Sequence, residues 1–290
     1  MDRFENIGVA GLGLIGGSLA LEIKKRGIAR RVTGFSRRLS TLKKAKERGI
    51  IDEYFTDFEE GVKGLDFLII TTPVNVVKDY FAGVKKSRPE LLVTDAASVK
   101  VKIVREARRI LGKDANFVGS HPMAGSEKSG IDAAKEGLFE NRFVIITPSK
   151  YTGKENVAAV KDFWSAAGSI PVFLSPRRHD RMLALTSHMP HLIVYTLVSL
   201  LGKVKDKETL LKCVGAGFLD TTRIGKSSPE LWAEIFTANR ENMVSWISEF
   251  EKALAGMKKI VNSGSCRELA EKLGRMKKMR EELDEKRKNI

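Results

Sequence analysis

The glycine-rich segment Gly11-Leu-Gly13-Leu-Ile-Gly16 constrains the fold more than any other feature of the chain. A strand-like apolar run at 7–10 precedes it, and a helical pattern at 19–25 continues from it. In such a loop the first glycine permits a tight turn, the second lets the backbone approach a pyrophosphate, and the third lets helix and strand pack closely. The helix N-terminus then offers unpaired N–H groups to phosphates. The segment therefore predicts dinucleotide binding by Gly11, Gly13, Leu14, Ile15 and Gly16.

Short apolar runs alternate with helical patterns through the first 175 residues. The predicted strands lie at 7–10, 31–35, 65–71, 91–95, 117–120, 143–147 and 171–174. Such alternation predicts an α/β, Rossmann-type doubly wound parallel sheet with helices on both faces. From residue 176 onward the patterns are helical, at 178–201, 207–222, 229–257 and 267–288. We therefore predict a dinucleotide-binding domain over 1–175 and an all-α domain over 176–290.

Composition narrows the class of protein. The 290 residues carry a net charge of +15, which could suit nucleic acid. The basic residues are scattered and lack interleaved aromatic residues, so an enzyme with anionic ligands is favoured, with no nucleic-acid partner. The two cysteines have no metal-ligand spacing, and we expect no metal. We see no cleavable signal and no apolar run of membrane-spanning length, which predicts a cytoplasmic protein without a membrane partner.

The end of the chain is strongly charged. Leu269, Leu273, Met276 and Leu283 fall near one helical face. We expect a terminal helix that docks by this apolar stripe.

The end of the second predicted strand bears on cofactor choice. Ser36 occupies the position where an acidic residue would hold the ribose of NAD. Arg37 and Arg38 follow, and guanidinium groups suit a 2′-phosphate. The segment favours NADP and leaves NAD possible, because either arginine could instead be solvated or stack on adenine. Thr72 and Pro73 follow a later strand and are predicted to contact the cofactor.

A histidine in a small-residue loop suggests the chemistry. His121 lies in Gly119-Ser-His-Pro-Met-Ala-Gly-Ser-Glu-Lys-Ser-Gly130, at the end of a predicted strand. A neutral histidine can take the proton of an alcohol as its hydride leaves. Ser98 follows a neighbouring strand, where it either caps the next helix or contacts the substrate.

The helical region contributes a second polar segment, Thr186-Ser187-His188-Met-Pro190-His191. Pro190 is predicted to distort its helix. The two histidines of this segment could serve the substrate or could merely pack between helices.

Several segments together resemble the prephenate dehydrogenase family. They are GLGLIGGS, SRR, TTP, DAASVK, GSHPMAGSEKSG, TSHMPH and GFLDTTRIGKSSPELW, and they span roughly residues 5 to 260. The resemblance implies a dinucleotide domain followed by a helical dimerisation domain, and therefore a homodimer. It also implies an NAD(P)-dependent oxidative decarboxylation of prephenate to 4-hydroxyphenylpyruvate in tyrosine biosynthesis. His121 would be the base toward the C4 hydroxyl, and Ser98 would orient that hydroxyl.

The resemblance also implies a substrate site. Its residues would be Arg223, Ser187, His191, Glu127, Asp220 and Trp232. Arg223 would bind a carboxylate, Glu127 and Asp220 would form an ionic network with it, and Trp232 would be supplied across the dimer. Arogenate is the alternative substrate, since an acidic residue near the side chain would favour its ammonium group. A β-hydroxyacid dehydrogenase and a nucleotide-sensing nucleic-acid binder are more remote alternatives.

Overall fold

The computed structural model describes residues 4–288. Within them one sheet has the strand order β3-β2-β1-β4-β5-β6-β7-β8. The strands are β1 Phe4–Ala10, β2 Ala29–Phe35, β3 Glu53–Tyr54, β4 Phe67–Ile70, β5 Leu92–Asp95, β6 Phe117–Pro122, β7 Phe143–Thr147 and β8 Ile170–Phe173. The order 3-2-1-4-5-6 is that of a Rossmann fold, so the predicted fold class is confirmed.

One strand departs from the predicted parallel sheet. β7 runs antiparallel to β6, with Gly119 opposite Thr147, and β8 is parallel to β7. Between β6 and β7 the described chain has only a short 3₁₀ turn, Ile131–Ala133, and no crossover helix of the kind that joins parallel strands. The two-residue strand β3 was not predicted.

Helices cover both faces of the sheet. They are α1 Leu14–Lys25, α2 Leu39–Glu47, α3 Phe58–Gly61, α4 Val77–Ser87, α5 Val101–Leu111 and α6 Lys154–Ala166. In β4, Phe67 and Ile69 belong to one apolar core, and Leu68 and Ile70 belong to the other. This alternation follows from the two-residue period of a strand and explains why β4 is apolar throughout.

The helical region is more broken than the sequence suggested. It contains α7 Pro176–Leu183, α8 Met189–Ser199, α9 Lys207–Cys213, α10 Ala216–Thr222, α11 Pro229–Ala238, α12 Arg240–Ser263 and α13 Cys266–Lys288. A π-helix, Ala184–His188, joins α7 to α8, and Pro190 lies in the first turn of α8. The predicted helix at 207–222 breaks after Cys213, and the one at 229–257 breaks at Asn239.

The chain forms two compact units, one ending at Asn242 and one beginning at Met243. This division does not fall at the boundary predicted between residues 175 and 176, which stays a prediction. The second unit contains most of α12 and the whole of α13. None of the described residues of α13 is buried, and Leu273, Met276 and Leu283 are exposed. Docking by that apolar stripe stays a prediction.

One helical stretch, Pro176–Lys203, is long and apolar enough to span a membrane by length and composition alone. The prediction that no apolar run reaches this length is wrong by that criterion. The stretch reaches this length because α7, the π-helix and α8 follow one another without a break. A single stretch of this kind is weak evidence for a membrane.

Candidate active site

The glycine loop has the geometry that a dinucleotide requires. Gly11 has a φ of +98°, which a residue with a side chain rarely adopts. A Cβ atom on Gly13 would meet nothing within 4 Å, so the backbone there is open to a ligand. A Cβ atom on Gly16 would collide with the Gly11 carbonyl oxygen and the Thr71 hydroxyl. Each glycine therefore has a separate physical reason, as expected of a loop that binds a pyrophosphate.

The remaining predicted cofactor residues surround this loop. Leu14 and Ile15 form the first turn of α1, and Gly13 is its N-cap without a side-chain bond. The helix therefore keeps backbone N–H groups available for an anion. Thr72 Oγ1 is buried and has no hydrogen-bond partner among the described residues, and Pro73 is exposed beside it. A buried hydroxyl without a partner is what a bound cofactor would satisfy.

A small pocket of about 210 Å³ lies at the end of β2, where the adenosine part of a dinucleotide is expected. Ser36 and Arg37 line it, and the Ser36 hydroxyl accepts a hydrogen bond from the Arg38 backbone N–H. Asp79, from α4, lines the same pocket together with Tyr80. The pocket therefore presents a carboxylate as well as a guanidinium group, and the sequence alone gave no reason to consider Asp79.

His121 lies near the carboxyl end of β6 and is buried. Its Nδ1 atom is 2.9 Å from Nε2 of His179, which belongs to α7. His179 Nδ1 is in turn 2.7 Å from Oδ1 of Asp180. We name this series of side chains the histidine relay, and it consists of His121, His179 and Asp180.

The Asp180 side chain is held in place because it also caps the N-terminus of α5, which lies much earlier in the chain. Its two carboxylate oxygens accept hydrogen bonds from the backbone N–H groups of Lys100 and Val101, at 2.7 and 2.9 Å. The negative charge lies at the N-terminus of α5, where the helix dipole stabilises it. Ser98 makes no side-chain cap of α5, so the capping alternative for Ser98 is wrong.

A second buried pair connects β5 to β6 below the relay. The Lys100 ammonium group, fully buried, contacts the Asp95 carboxylate and donates to the Ser120 carbonyl at 2.7 Å. Asp95 also accepts a hydrogen bond from the Ser120 backbone N–H. The pair holds the ends of both strands in one arrangement and places a cation near His121.

The hydrogen bonds of the relay determine which nitrogen of each histidine ring carries the proton. A carboxylate only accepts hydrogen bonds, so His179 donates from Nδ1 to Asp180 and accepts at Nε2 from the Nδ1–H group of His121. Nε2 of His121 is then left with its lone pair. Burial first, and then the charges of His179 and Lys100, hold the pKa of His121 well below its ordinary value. His121 is therefore neutral near pH 7 and can accept a proton.

His188 extends the polar network away from the relay. Its Nδ1 atom lies 3.2 Å from the Asn239 amide, which also donates to the Asp180 carbonyl at 2.8 Å. Burial lowers the pKa of His188 to about 4, and the Asp180 charge and the backbone carbonyl of Ser98 oppose that shift. His188 Nε2 is buried without a partner among the described residues. Asn239 lies at the break between α11 and α12, and its amide therefore contacts both the His188 ring and the Asp180 carbonyl.

His191 and Trp232 form a flat surface. Their rings stack with centroids 3.5 Å apart and an interplanar angle of 21°. His191 donates from Nδ1 to the Ser187 carbonyl at 3.1 Å, which leaves Nε2 as an acceptor. This hydrogen bond links His191 in α8 to Ser187 in the π-helix. Trp232 packs on His191 of its own chain, and its supply across a dimer stays a prediction.

Arg223 and Glu127 meet although 96 residues separate them in sequence. The guanidinium group lies 2.8 Å from a carboxylate oxygen of Glu127, and 57% of the Arg223 side chain is exposed. Asp220 is exposed and makes no ion pair with Arg223 in the described structure. The ion pair therefore joins Arg223 to Glu127 on the loop after β6, and the extension of the ionic network to Asp220 stays a prediction.

Sequence reasoning did not assign a role to Asp180, His179, Lys100, Asp95 or Asn239. The available signal was the His-Asp pair at 179–180, which follows the Ser-Pro start of a helix. Its partners lie about 60 to 80 residues earlier in the chain, and no local pattern connects them.

The carboxyl ends of β1, β4, β5 and β6 meet at one edge of the sheet, and ligands of such folds bind there. Fold and site together define an NAD(P)-dependent dehydrogenase. Residues 19–171 match the family model described as prephenate dehydrogenase, nucleotide-binding domain, and residues 175–275 match that of the dimerization domain. The chain belongs to the prephenate dehydrogenase family.

Individual relatives agree with this assignment. Prephenate dehydrogenase of Bacillus subtilis (strain 168) is 39% identical over 255 residues, covering 86% of this chain and 69% of the relative. The structure of Aquifex aeolicus prephenate dehydrogenase with hydroxyphenyl propionate and NAD+ is similar, with a TM-score of 0.90 at 35% identity and coverage of 96% and 98%. Synechocystis arogenate dehydrogenase has a TM-score of 0.79 at 30% identity, with coverage of 96% and 99%.

Proposed function

We propose that this protein oxidises and decarboxylates prephenate to 4-hydroxyphenylpyruvate. A base takes the proton of the C4 hydroxyl, hydride leaves C4, and the ring carboxylate departs as carbon dioxide while the ring becomes aromatic. A bound nicotinamide supplies the hydride acceptor. The similarity to relatives named prephenate dehydrogenase supports this proposal. Family membership leaves the β-hydroxyacid dehydrogenase and nucleic-acid binder without support.

The histidine relay is the observation that carries the proposal. Because Asp180 and His179 fix the tautomer of His121, the Nε2 lone pair is ready before the substrate arrives. A proton taken by His121 creates an imidazolium, and the Asp180 carboxylate lies two hydrogen bonds away to stabilise that charge. The low pKa of His121 keeps the base unprotonated at and below neutral pH.

The substrate would be held by groups from the helical region. Arg223 is half-exposed and already pairs with a carboxylate, so a substrate carboxylate can replace Glu127 by exchange. His191 keeps an acceptor nitrogen, and its stack on Trp232 offers an apolar face for a ring. Ser187, beside His191, and Ser98, beside the relay, are half-buried and complete the proposed set with Asp220 at its edge.

Arogenate is the second candidate substrate. It differs from prephenate by an ammonium group in place of the keto group. Glu127 places a carboxylate against Arg223, and such a carboxylate could receive the ammonium. The similarity to an arogenate dehydrogenase is the further reason to test it. Prephenate is preferred because, apart from Glu127 and Asp220, the proposed site presents Arg223 and neutral histidines, which offer an ammonium group no opposite charge.

For the cofactor we propose NADP, with NAD accepted. Ser36, Arg37 and Arg38 support a 2′-phosphate, whereas Asp79 in the same pocket would repel it. The bound NAD+ belongs to the Aquifex relative. The ratio of kcat/KM for the two cofactors decides, and a clear preference for NAD would refute the proposal.

We further propose a homodimer that forms through the helical region. Residues 175–275 match a dimerization-domain model. Along α12 several large apolar side chains are exposed in the single chain, namely Val244, Phe250, Leu254 and Val261. A partner would remove this surface from water. The cytoplasmic location stays a prediction.

The direct test is reduction of NADP or NAD, followed by absorbance, with prephenate, arogenate or a β-hydroxyacid as substrate. Prephenate should give equal amounts of reduced cofactor, carbon dioxide and 4-hydroxyphenylpyruvate. Much higher kcat/KM with arogenate would replace the assigned substrate. No turnover of either ring compound would refute the proposed function.

A further inference from the structure

A separate cleft of about 550 Å³ lies between α5, the segment after β7 and the beginning of α7. It shares no lining residue with the glycine loop or the histidine relay. Five basic side chains line it, and its lining includes no carboxylate: Arg105, Arg108, Lys113, Lys150 and Arg177. A volume of this size is typical of a small-molecule site.

These cations are not neutralised by the protein. None of the five forms an ion pair with a carboxylate within residues 4–288. Three of them surround one ring, because Arg108, Lys113 and Lys150 lie 4.6, 4.8 and 4.9 Å from the centroid of Tyr151. Three like charges around one ring repel one another, and a bound anion would relieve the repulsion.

The cleft also contains unused hydrogen-bonding capacity. Thr147 lines it, and the Thr147 hydroxyl is buried without a partner among the described residues. Ser149 and Thr152 line the same wall and are 2.9 Å apart through their hydroxyl oxygens. Buried polar groups normally have partners, so the Thr147 hydroxyl is a second, independent sign of a ligand.

We propose that this cleft binds a multiply charged anion of the phosphate class, of metabolite size. Arg105 and Arg108 would contact it from α5, and Arg177 would contact it from α7. Arginine is suited to phosphate because its N–H groups form paired, charge-assisted hydrogen bonds. The lining is partly apolar, through Val104, Phe117 and Pro176, so the anion can carry an organic part.

The test is calorimetric titration of the full chain with inorganic pyrophosphate at low salt. The variant Arg105→Gln/Arg177→Gln should bind at least about tenfold more weakly, since each arginine supplies charge-assisted bonds. The matched control Arg31→Gln/Arg275→Gln removes the same charge from exposed positions elsewhere and should bind like the wild type. Both variants leave the glycine loop unchanged, so pyrophosphate bound at that loop does not contribute to the difference.

Three results would overturn the proposal. The first is that pyrophosphate does not bind, or that it binds equally well to the Arg105→Gln/Arg177→Gln variant. The second is an equal loss in the control variant, which would indicate a general effect of net charge. The third is cleft-dependent binding of a DNA duplex without any of pyrophosphate, which would assign the surface to nucleic acid. Binding is measured without substrate, so the outcome is independent of the proposed reaction.

Discussion

The substitution Asp180→Asn changes one oxygen of the histidine relay into an amide nitrogen. Asp180 accepts three hydrogen bonds, from His179 Nδ1 and from the backbone of Lys100 and Val101. An asparagine has only one acceptor oxygen, so its NH₂ group must face a donor. If that group faces His179, the tautomers of both histidines reverse and His121 carries its proton on Nε2. If it faces the Val101 N–H group instead, the tautomers stay, but the relay loses the negative charge that would stabilise a protonated His121.

The size of the effect follows from these contacts. A base with the wrong tautomer, or without the carboxylate that stabilises its protonated form, loses proton transfer, which contributes about 10²–10⁴-fold to kcat. We therefore expect kcat to fall at least about 100-fold while the KM for prephenate changes little, because no substrate contact is removed. A hydrogen bond to a buried charged group is worth about 1.5–3 kcal/mol, so the fold should also lose about that free energy of unfolding.

The assay is steady-state turnover of prephenate, with urea unfolding of the same samples. Asp206→Asn is a matched control, because Asp206 caps α9 at the surface through the Thr209 N–H group without any histidine partner. His179→Gln should cost about as much in kcat as Asp180→Asn, and the double variant should cost little more, since the two residues act through one relay. A folded Asp180→Asn protein with kcat within about threefold of the wild type would refute this reasoning.

Three further predictions concern pH, cofactor and assembly. The pKa of His188 is lowered from 6.5 to about 4 by burial, so the unfolded chain alone takes up this proton in that range. The free energy of unfolding should therefore keep its full His188 contribution above pH 6.5 and fall by about 3 kcal/mol by pH 4. In urea titrations the variant His188→Asn should lack this decrease, and an unchanged dependence on pH would contradict the prediction. Asp79→Asn should raise kcat/KM for NADP relative to NAD by about threefold or more and Arg37→Gln should lower it, whereas no change would remove both from cofactor choice. Leu254→Lys should convert a dimer to a monomer in light scattering, and a persistent dimer would exclude this face of α12.

The part of the fold that local patterns encode was predictable. The roles of Gly11, Gly13 and Gly16 follow from their spacing, and the doubly wound sheet with helices on both faces follows from alternating strands and helices. The antiparallel β7 was missed because apolar periodicity carries no strand direction. The distortion at Pro190 was expected, but its form as a π-helix depends on neighbouring helices.

The candidate site divides in the same way. The segments containing His121, His191 and Arg223 were recognisable as motifs. The relay was not, because Asp180 meets Lys100 across 80 residues of sequence. Burial of Lys100 contradicts the usual surface preference of lysine, and only the fold brings Asp95 beside it. The Glu127–Arg223 pair likewise joins residues that are 96 positions apart in sequence.

The central claim is that His121 takes the proton of the C4 hydroxyl, and His121→Asn tests it most directly. Prephenate binding to this variant is measured by calorimetry, and turnover is measured as reduced cofactor with 4-hydroxyphenylpyruvate. We expect prephenate affinity close to that of the wild type and a kcat lower by about 10²–10⁴-fold. A folded His121→Asn protein that turns over prephenate at a near-normal rate would contradict it.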